Sequence, residues 1–135
     1  MHNHKHFIAT GYVNSAPGPL MIETIEQWFR SLVSAIGMNI LIDPKVVYCD
    51  TEGNEGLTGI VCIETSHSSI HFWSKPQPFF KFDLYSCMDF QESVVVDKLK
   101  EFGLTKIEWT TIDRNKDYNP TVASGGINFR EECNV

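Results

Sequence analysis

Two hydrophobic periods alternate along this chain, and the switches between them mark out its elements. Ile22, Ile25, Phe29, Leu32 and Ile36 recur at alternating steps of three and four, the spacing of one helix face, and the run stops at Gly37. Pro19 follows the turn-forming "NSAPGP" and suits a helix start, where a missing N–H costs nothing. Runs with strand character flank this helix. "KHFIATGYV" (5–13) precedes it, and "NILI" (39–42), "GLTGIVCIET" (56–65), "SSIHFW" (68–73) and "FFKFDLYSC" (79–87) follow. A second helix is expected from about Phe90 to Phe102, then a last strand, "KIEWTTI" (106–112). The short links between the middle strands favour antiparallel pairing. The pattern therefore predicts an α+β fold, an antiparallel β-sheet with two helices packed on one face as a two-layer sandwich. It places one domain at 1–113 and a polar C-terminal tail at 114–135, "RNKDYNPTVASGGINFREECNV", which has no sustained period and reads as a mobile tail or an arm lying on a partner.

Strand parity divides the central sheet into unlike faces. Phe80, Phe82 and Leu84 share one side of their strand, and Lys81, Asp83, Tyr85 and Cys87 share the other; Ile70 and Phe72 alternate with His71 and Trp73. Solvent alone can explain a polar face on a small antiparallel sheet. Trp73 and Tyr85 also lie on that face, however, which indicates that something covers it.

Composition narrows the classes. At 135 residues, 42% apolar and 12% aromatic, the chain can build one packed core but not two. A net charge of −6 argues against a duplex nucleic-acid binder, which would carry a basic stripe for the phosphates. The N-terminus has no apolar core of signal-peptide length and no window is long enough to span a bilayer, so a soluble, cytoplasmic protein is expected. Cys49, Cys62, Cys87 and Cys133 form no CxxC pair and read as reduced thiols. His2, His4 and His6 alternate near the N-terminus and read as a disordered terminus, with no metal expected there.

The stretch "GLTGIVCIETSHSSIHFW", followed after a short hairpin by "FDLYSC", resembles the core motif of the small bacterial and archaeal S-adenosylmethionine decarboxylase family. That motif reads approximately GVSGVVxISESHxxIHxxPE, then an aspartate-led strand ending in TCG. The resemblance covers residues 56–87 well, and the "HFIA" strand and first helix more loosely. It implies a self-processing enzyme of polyamine and spermidine biosynthesis that makes its own cofactor. The hydroxyl of Ser66 attacks the preceding carbonyl, elimination splits the chain between Thr65 and Ser66, and a pyruvoyl group is left on the fragment 66–135. That group holds the substrate amine as a Schiff base and takes up the electrons released as carbon dioxide leaves. By the same matching, His71 and Thr58 are the proton carriers that assist processing, and Cys87 protonates the substrate α-carbon. Taken singly, Ser66 is a turn serine, His71 a satisfied histidine and Cys87 a small buried hydrophobe; their joint spacing is what carries the assignment. His67 either orients the cleavage loop or merely fills it.

Thr58 and Ser66 are eight residues apart in what reads as one extended strand, a separation of roughly 26 Å at about 3.3 Å per residue. If both serve one reaction centre, Thr58 must come from a second protomer, and a two-fold homodimer would supply two such sites and cover the polar face. The family's small members resemble half of the larger eukaryotic enzyme and function as dimers of processed chains.

Departures from the motif bear on the substrate. Thr65 stands where the family has glutamate, and Lys75 replaces a glutamate that hydrogen-bonds the ribose of S-adenosylmethionine, which a cation cannot do. Thr10 replaces an acidic residue. The segment that stacks on adenine becomes "DPKVVYCDTEGNEG", where Asp50, Glu52 and Glu55 form either a solvated turn or a site for a cationic side chain. These changes lean towards L-arginine or L-ornithine. The alternatives are S-adenosylmethionine itself, and an unprocessed homologue that binds without catalysis.

Overall fold

Alternation persists along the strands because helices pack on one side of the sheet and, among the described residues, no element packs on the other. The computed structural model describes residues 4–115 and 121–129. Seven strands, β1 (Lys5–Val13), β2 (Ile40–Cys49), β3 (Gly56–Ile63), β4 (Ser66–Trp73), β5 (Phe79–Ser86), β6 (Leu104–Asp113) and β7 (Thr121–Asn128), form one antiparallel sheet in the order β2-β3-β4-β5-β1-β6-β7. Two helices, α1 (Ile22–Ala35) and α2 (Glu92–Lys100), pack on one face. A single 3-10 turn, Pro19–Met21, leads into α1. The α+β class and the two-layer arrangement agree with the sequence pattern.

The core lies between the layers. Ile25, Trp28, Phe29, Leu32 and Val33 of α1 and Val95, Val96 and Leu99 of α2 are buried with Phe7, Leu57, Ile70, Phe72, Phe80 and Leu84 of the sheet. Each fully buried Phe or Leu contributes about 1.5–3 kcal/mol of apolar transfer. The indole N–H of Trp28 donates to the Lys98 carbonyl at 2.9 Å, joining the two helices.

Three departures from the expected elements bear on the site and the sheet edge, beyond shifts of one or two residues at other element ends. β2 runs on to Cys49, so "DPKVVYC" is largely strand, with irregular register at Ile42 and Lys45. The strand expected over 56–65 ends at Ile63 and turns back. The third concerns the predicted tail: Thr121–Asn128 is an edge strand paired with β6 of the same chain. "TVASGGIN" lacks an apolar alternation, and its glycines argue against a strand in sequence terms. In the structure Gly125 sits opposite Trp109, where a Cβ would come within 2.6 Å of the indole, so glycine is what lets β7 lie there. The remainder of the tail, 116–120 and 130–135 with Cys133, lies outside the described residues, as does His2. Among the described residues no helix is long and apolar enough to cross a membrane.

Candidate active site

The β3–β4 hairpin positions the candidate chemistry. Its register pairs Ile63 with Ser66, Cys62 with His67 and Thr58 with His71, leaving Glu64 and Thr65 as the turn. Ser66 also pairs with Ser86 of β5. Within this ladder Ser66 has a φ of 151°, which only glycine adopts without strain. Such a conformation costs of order 1–3 kcal/mol and persists only where the surroundings enforce it. The Thr65 carbonyl, immediately before Ser66, accepts a hydrogen bond from the Cys87 backbone N–H at 3.0 Å. The Thr65 hydroxyl donates to Met38 Sδ at 3.1 Å, and Ser66 Oγ lies 3.0 Å from His67 Nδ1. The turn end of the hairpin thus gathers Thr65, Ser66, His67 and Cys87.

Thr58 and His71 occupy the other end. Thr58 Oγ1 is hydrogen-bonded to His71 Nδ1, and the His71 ring lies 4.0 Å, centroid to centroid, from that of Trp73. His71 Nε2 is buried without a well-formed hydrogen bond among the described residues. Burial holds the imidazole below its ordinary 6.5, an effect that the Asn54 backbone only partly offsets. Gly56 makes this corner possible: its φ is 155°, and a Cβ there would sit 1.7 Å from the Phe72 carbonyl and 3.5 Å from His71 Nε2. The Trp73 indole N–H donates to Asn54 Oδ1 at 2.8 Å. That bond ties the loop carrying Asp50, Glu52 and Glu55, all exposed, to the His71 end of the hairpin. Lys75, also exposed, lies two residues past the end of β4 at this same end.

The candidate residues therefore form two groups. Ser66 and His71 are five residues apart on one strand, roughly 17 Å at about 3.3 Å per residue. The expected single extended strand with Thr58 about 26 Å from Ser66 is replaced by a hairpin, because the chain reverses at Glu64 and Thr65. The reversal shortens the gap without closing it, since Thr58 pairs with His71 well away from the turn.

Between the groups, the helix-free face carries a cluster that sequence inspection did not assemble. Asp83 accepts from the Ser69 hydroxyl on Oδ1, and its Oδ2 lies 2.9 Å from His6 Nε2 and 3.5 Å from His67 Nε2. Burial alone would raise the Asp83 carboxyl, but the hydrogen bonds from His6 and Ser69 and the electrostatic pull of the neighbouring His67 and His6 rings outweigh it and hold it below 3.8. His4 Nδ1 meets the Tyr85 hydroxyl at 2.8 Å, and the Arg114 guanidinium lies 4.4 Å over the Tyr85 ring. His4 and His6 are thus fixed on the sheet face, contrary to the expectation of a disordered terminus. Parity already placed Asp83 on the polar face; the missing signal was strand order, which sets β1 beside β5. Lys81 donates to the Thr10 hydroxyl at 2.7 Å on the same face. A concavity of about 980 Å³ there is lined by Thr10, Thr58, Ser69, His71, Lys81 and Asp83.

Fold and candidate site together define a two-layer α+β class with an open sheet face and a strained serine at the turn of a hairpin beside it. Within that class, a sequence profile of the S-adenosylmethionine decarboxylase family matches residues 6–115, from β1 through the whole hairpin and past β6, and the chain belongs to that family. It is a family of decarboxylases. A search of curated proteins finds no match to this chain.

Proposed function

We propose that this chain is a self-processing, pyruvoyl-dependent decarboxylase that cleaves itself between Thr65 and Ser66. The observation that carries this is the hairpin turn itself: Ser66 is held at a φ of 151°, and the carbonyl it would attack already accepts the Cys87 N–H at 3.0 Å. A donor in that place stabilises the negative charge that develops on Thr65 oxygen as Ser66 Oγ adds to the carbonyl carbon. Once formed, the pyruvoyl group on residue 66 supplies an electron sink for loss of carbon dioxide from an amino acid. The chain's own side chains supply the proton handling. Cys87, beside the 65–66 bond through its backbone, returns a proton to the substrate α-carbon, and the Thr58–His71 pair carries protons during processing.

Because Thr58 and His71 lie far from Ser66 in one chain, they serve it from a second copy. A two-fold pair apposing the open faces sets Thr58 and His71 of each protomer beside Ser66 and Cys87 of the other. It also covers Val47, Ile60 and Val122, exposed apolar residues on that face. Light scattering on the purified protein tests this: a strict monomer that processes and turns over substrate refutes it.

For the substrate we favour L-arginine or L-ornithine. The bond between Asn54 and Trp73 brings the loop of Asp50, Glu52 and Glu55 to the His71 end, where a guanidinium or ammonium group can pair with it. Lys75 stands at this end too, in place of the ribose-binding glutamate. Intact-protein mass spectrometry tests the processing: wild type should give fragments 1–65 and 66–135, the latter with a pyruvoyl terminus, and Ser66→Ala should stay whole. Only full-length mass from fresh wild-type protein would leave a non-catalytic binding homologue. Carbon dioxide release across arginine, ornithine and S-adenosylmethionine then decides the substrate, and turnover of S-adenosylmethionine alone would overturn the preference for a cationic amino acid.

A further inference from the structure

One line of contacts reaches the reacting serine from a residue that no family role covers. Ser66 Oγ lies 3.0 Å from His67 Nδ1, and the far side of that ring, Nε2, lies 3.5 Å from Asp83 Oδ2. Asp83 is itself anchored by His6 at 2.9 Å and by the Ser69 hydroxyl. The Tyr85 ring packs against His67 at 6.0 Å between centroids, limiting its rotation. An ionised carboxylate can only accept, so Asp83 favours the tautomer of His67 that carries its hydrogen on the nitrogen facing it. That leaves the lone pair on Nδ1, facing the Ser66 hydroxyl.

We propose that His67 is the base that takes the Ser66 hydroxyl proton during self-cleavage and that Asp83 is the positioning residue that fixes its ring, an inference that rests on the self-processing reading and deepens it. The step balances within the chain. Ser66 Oγ–H gives its proton to His67 Nδ1, and a bond forms from Oγ to the Thr65 carbonyl carbon. The Thr65–Ser66 C–N bond breaks, and the proton passes from Nδ1 to the released Ser66 nitrogen. An amide becomes an ester, with no water, metal or oxidant consumed. This assigns ester formation to an imidazole of the same chain, and His71, roughly 17 Å away along β4 at about 3.3 Å per residue, retains the later elimination.

The experiment follows fragment formation by mass spectrometry from freshly folded wild type, His67→Ala and Asp83→Asn, with and without added imidazole. His67→Ala should split at least about 10²-fold more slowly, the usual worth of a positioned base, and imidazole should restore part of the rate. Asp83→Asn should slow splitting by about tenfold or more, as expected when the base is held in the wrong tautomer. In uncleavable Ser66→Ala protein, ¹⁵N shifts of His67 should report the Nε2–H tautomer, and adding Asp83→Asn should mix the two forms. Wild type that never splits overturns the self-processing reading as a whole. Wild type that splits while His67→Ala splits within about threefold of it overturns the His67 assignment alone, as does a slow His67→Ala that imidazole leaves unchanged. A tautomer unaffected by Asp83→Asn overturns the role of Asp83.

Discussion

Two inactive chains should restore one another. Ser66→Ala removes the nucleophile from the turn end of the hairpin and His71→Ala removes the imidazole from the other end, roughly 17 Å away at about 3.3 Å per strand residue. Neither homodimer then holds a complete site. In the mixed dimer, one of the two sites lacks both residues, while the other joins the intact Ser66 of the His71→Ala chain to the intact His71 of the Ser66→Ala chain. With equal amounts and random assortment, about half of the dimers are mixed, so about half of the His71→Ala chains and about a quarter of all chains should be cut. Co-expression of the two chains with tags of different mass, followed by intact mass analysis, reads this directly, because only the His71→Ala tag should appear on fragments. Mixed dimers recovered through both tags that contain no cut chain would refute the shared site. So would normal cutting of His71→Ala by itself.

Cys87→Ala should leave cleavage intact, since the backbone N–H and not the thiol holds the Thr65 carbonyl, while carbon dioxide release falls; loss of cleavage would contradict that division. Gly56→Ala should destabilise the fold by more than about 1 kcal/mol in urea titrations and slow processing, because its Cβ would meet the Phe72 carbonyl. Asp83 sets an acid limit. Its folded-state pKa lies below 3.8, so the stability it contributes is complete above that value and is lost as pH falls through the lower folded value. Thermal unfolding of wild type should therefore weaken across that acid range, and Asp83→Asn should show a shallower decline.

Much of this arrangement was legible in sequence because its causes are local. The steps from Ile22 to Ile36 set the buried face of α1, and the alternation of Phe80, Phe82 and Leu84 with Lys81, Asp83 and Tyr85 set both faces of β5. What escaped was decided between strands. β7 is held by β6 and by the fit of Gly125 against Trp109, neither of which leaves a period in "TVASGGIN". The turn at Glu64 and Thr65 contains none of the glycine, proline or asparagine that announce a reversal; the strained φ of Ser66 substitutes for them. The surroundings of His67 depend on β1 lying beside β5, which brings His6 to Asp83 from the far end of the chain. The match to the family motif singled out Ser66, His71 and Cys87 together, but only the register showed that Ser66 and His71 stand at opposite ends of a hairpin.

If the chain processes itself as proposed, the strand order also fixes when it can be cut. A break between Thr65 and Ser66 leaves β1, α1, β2 and β3 in one product and β4, β5, α2, β6 and β7 in the other. These are interwoven: β1 of the first lies between β5 and β6 of the second, and β4 of the second joins β3 of the first. Neither product has a contiguous sheet of its own, and the ladder that holds Ser66 against Ser86 exists only once both are in place. On the proposed self-processing, scission at this bond would be a one-way certificate of completed folding: a half-made or misregistered chain would stay whole, and a finished one would be marked permanently without coming apart.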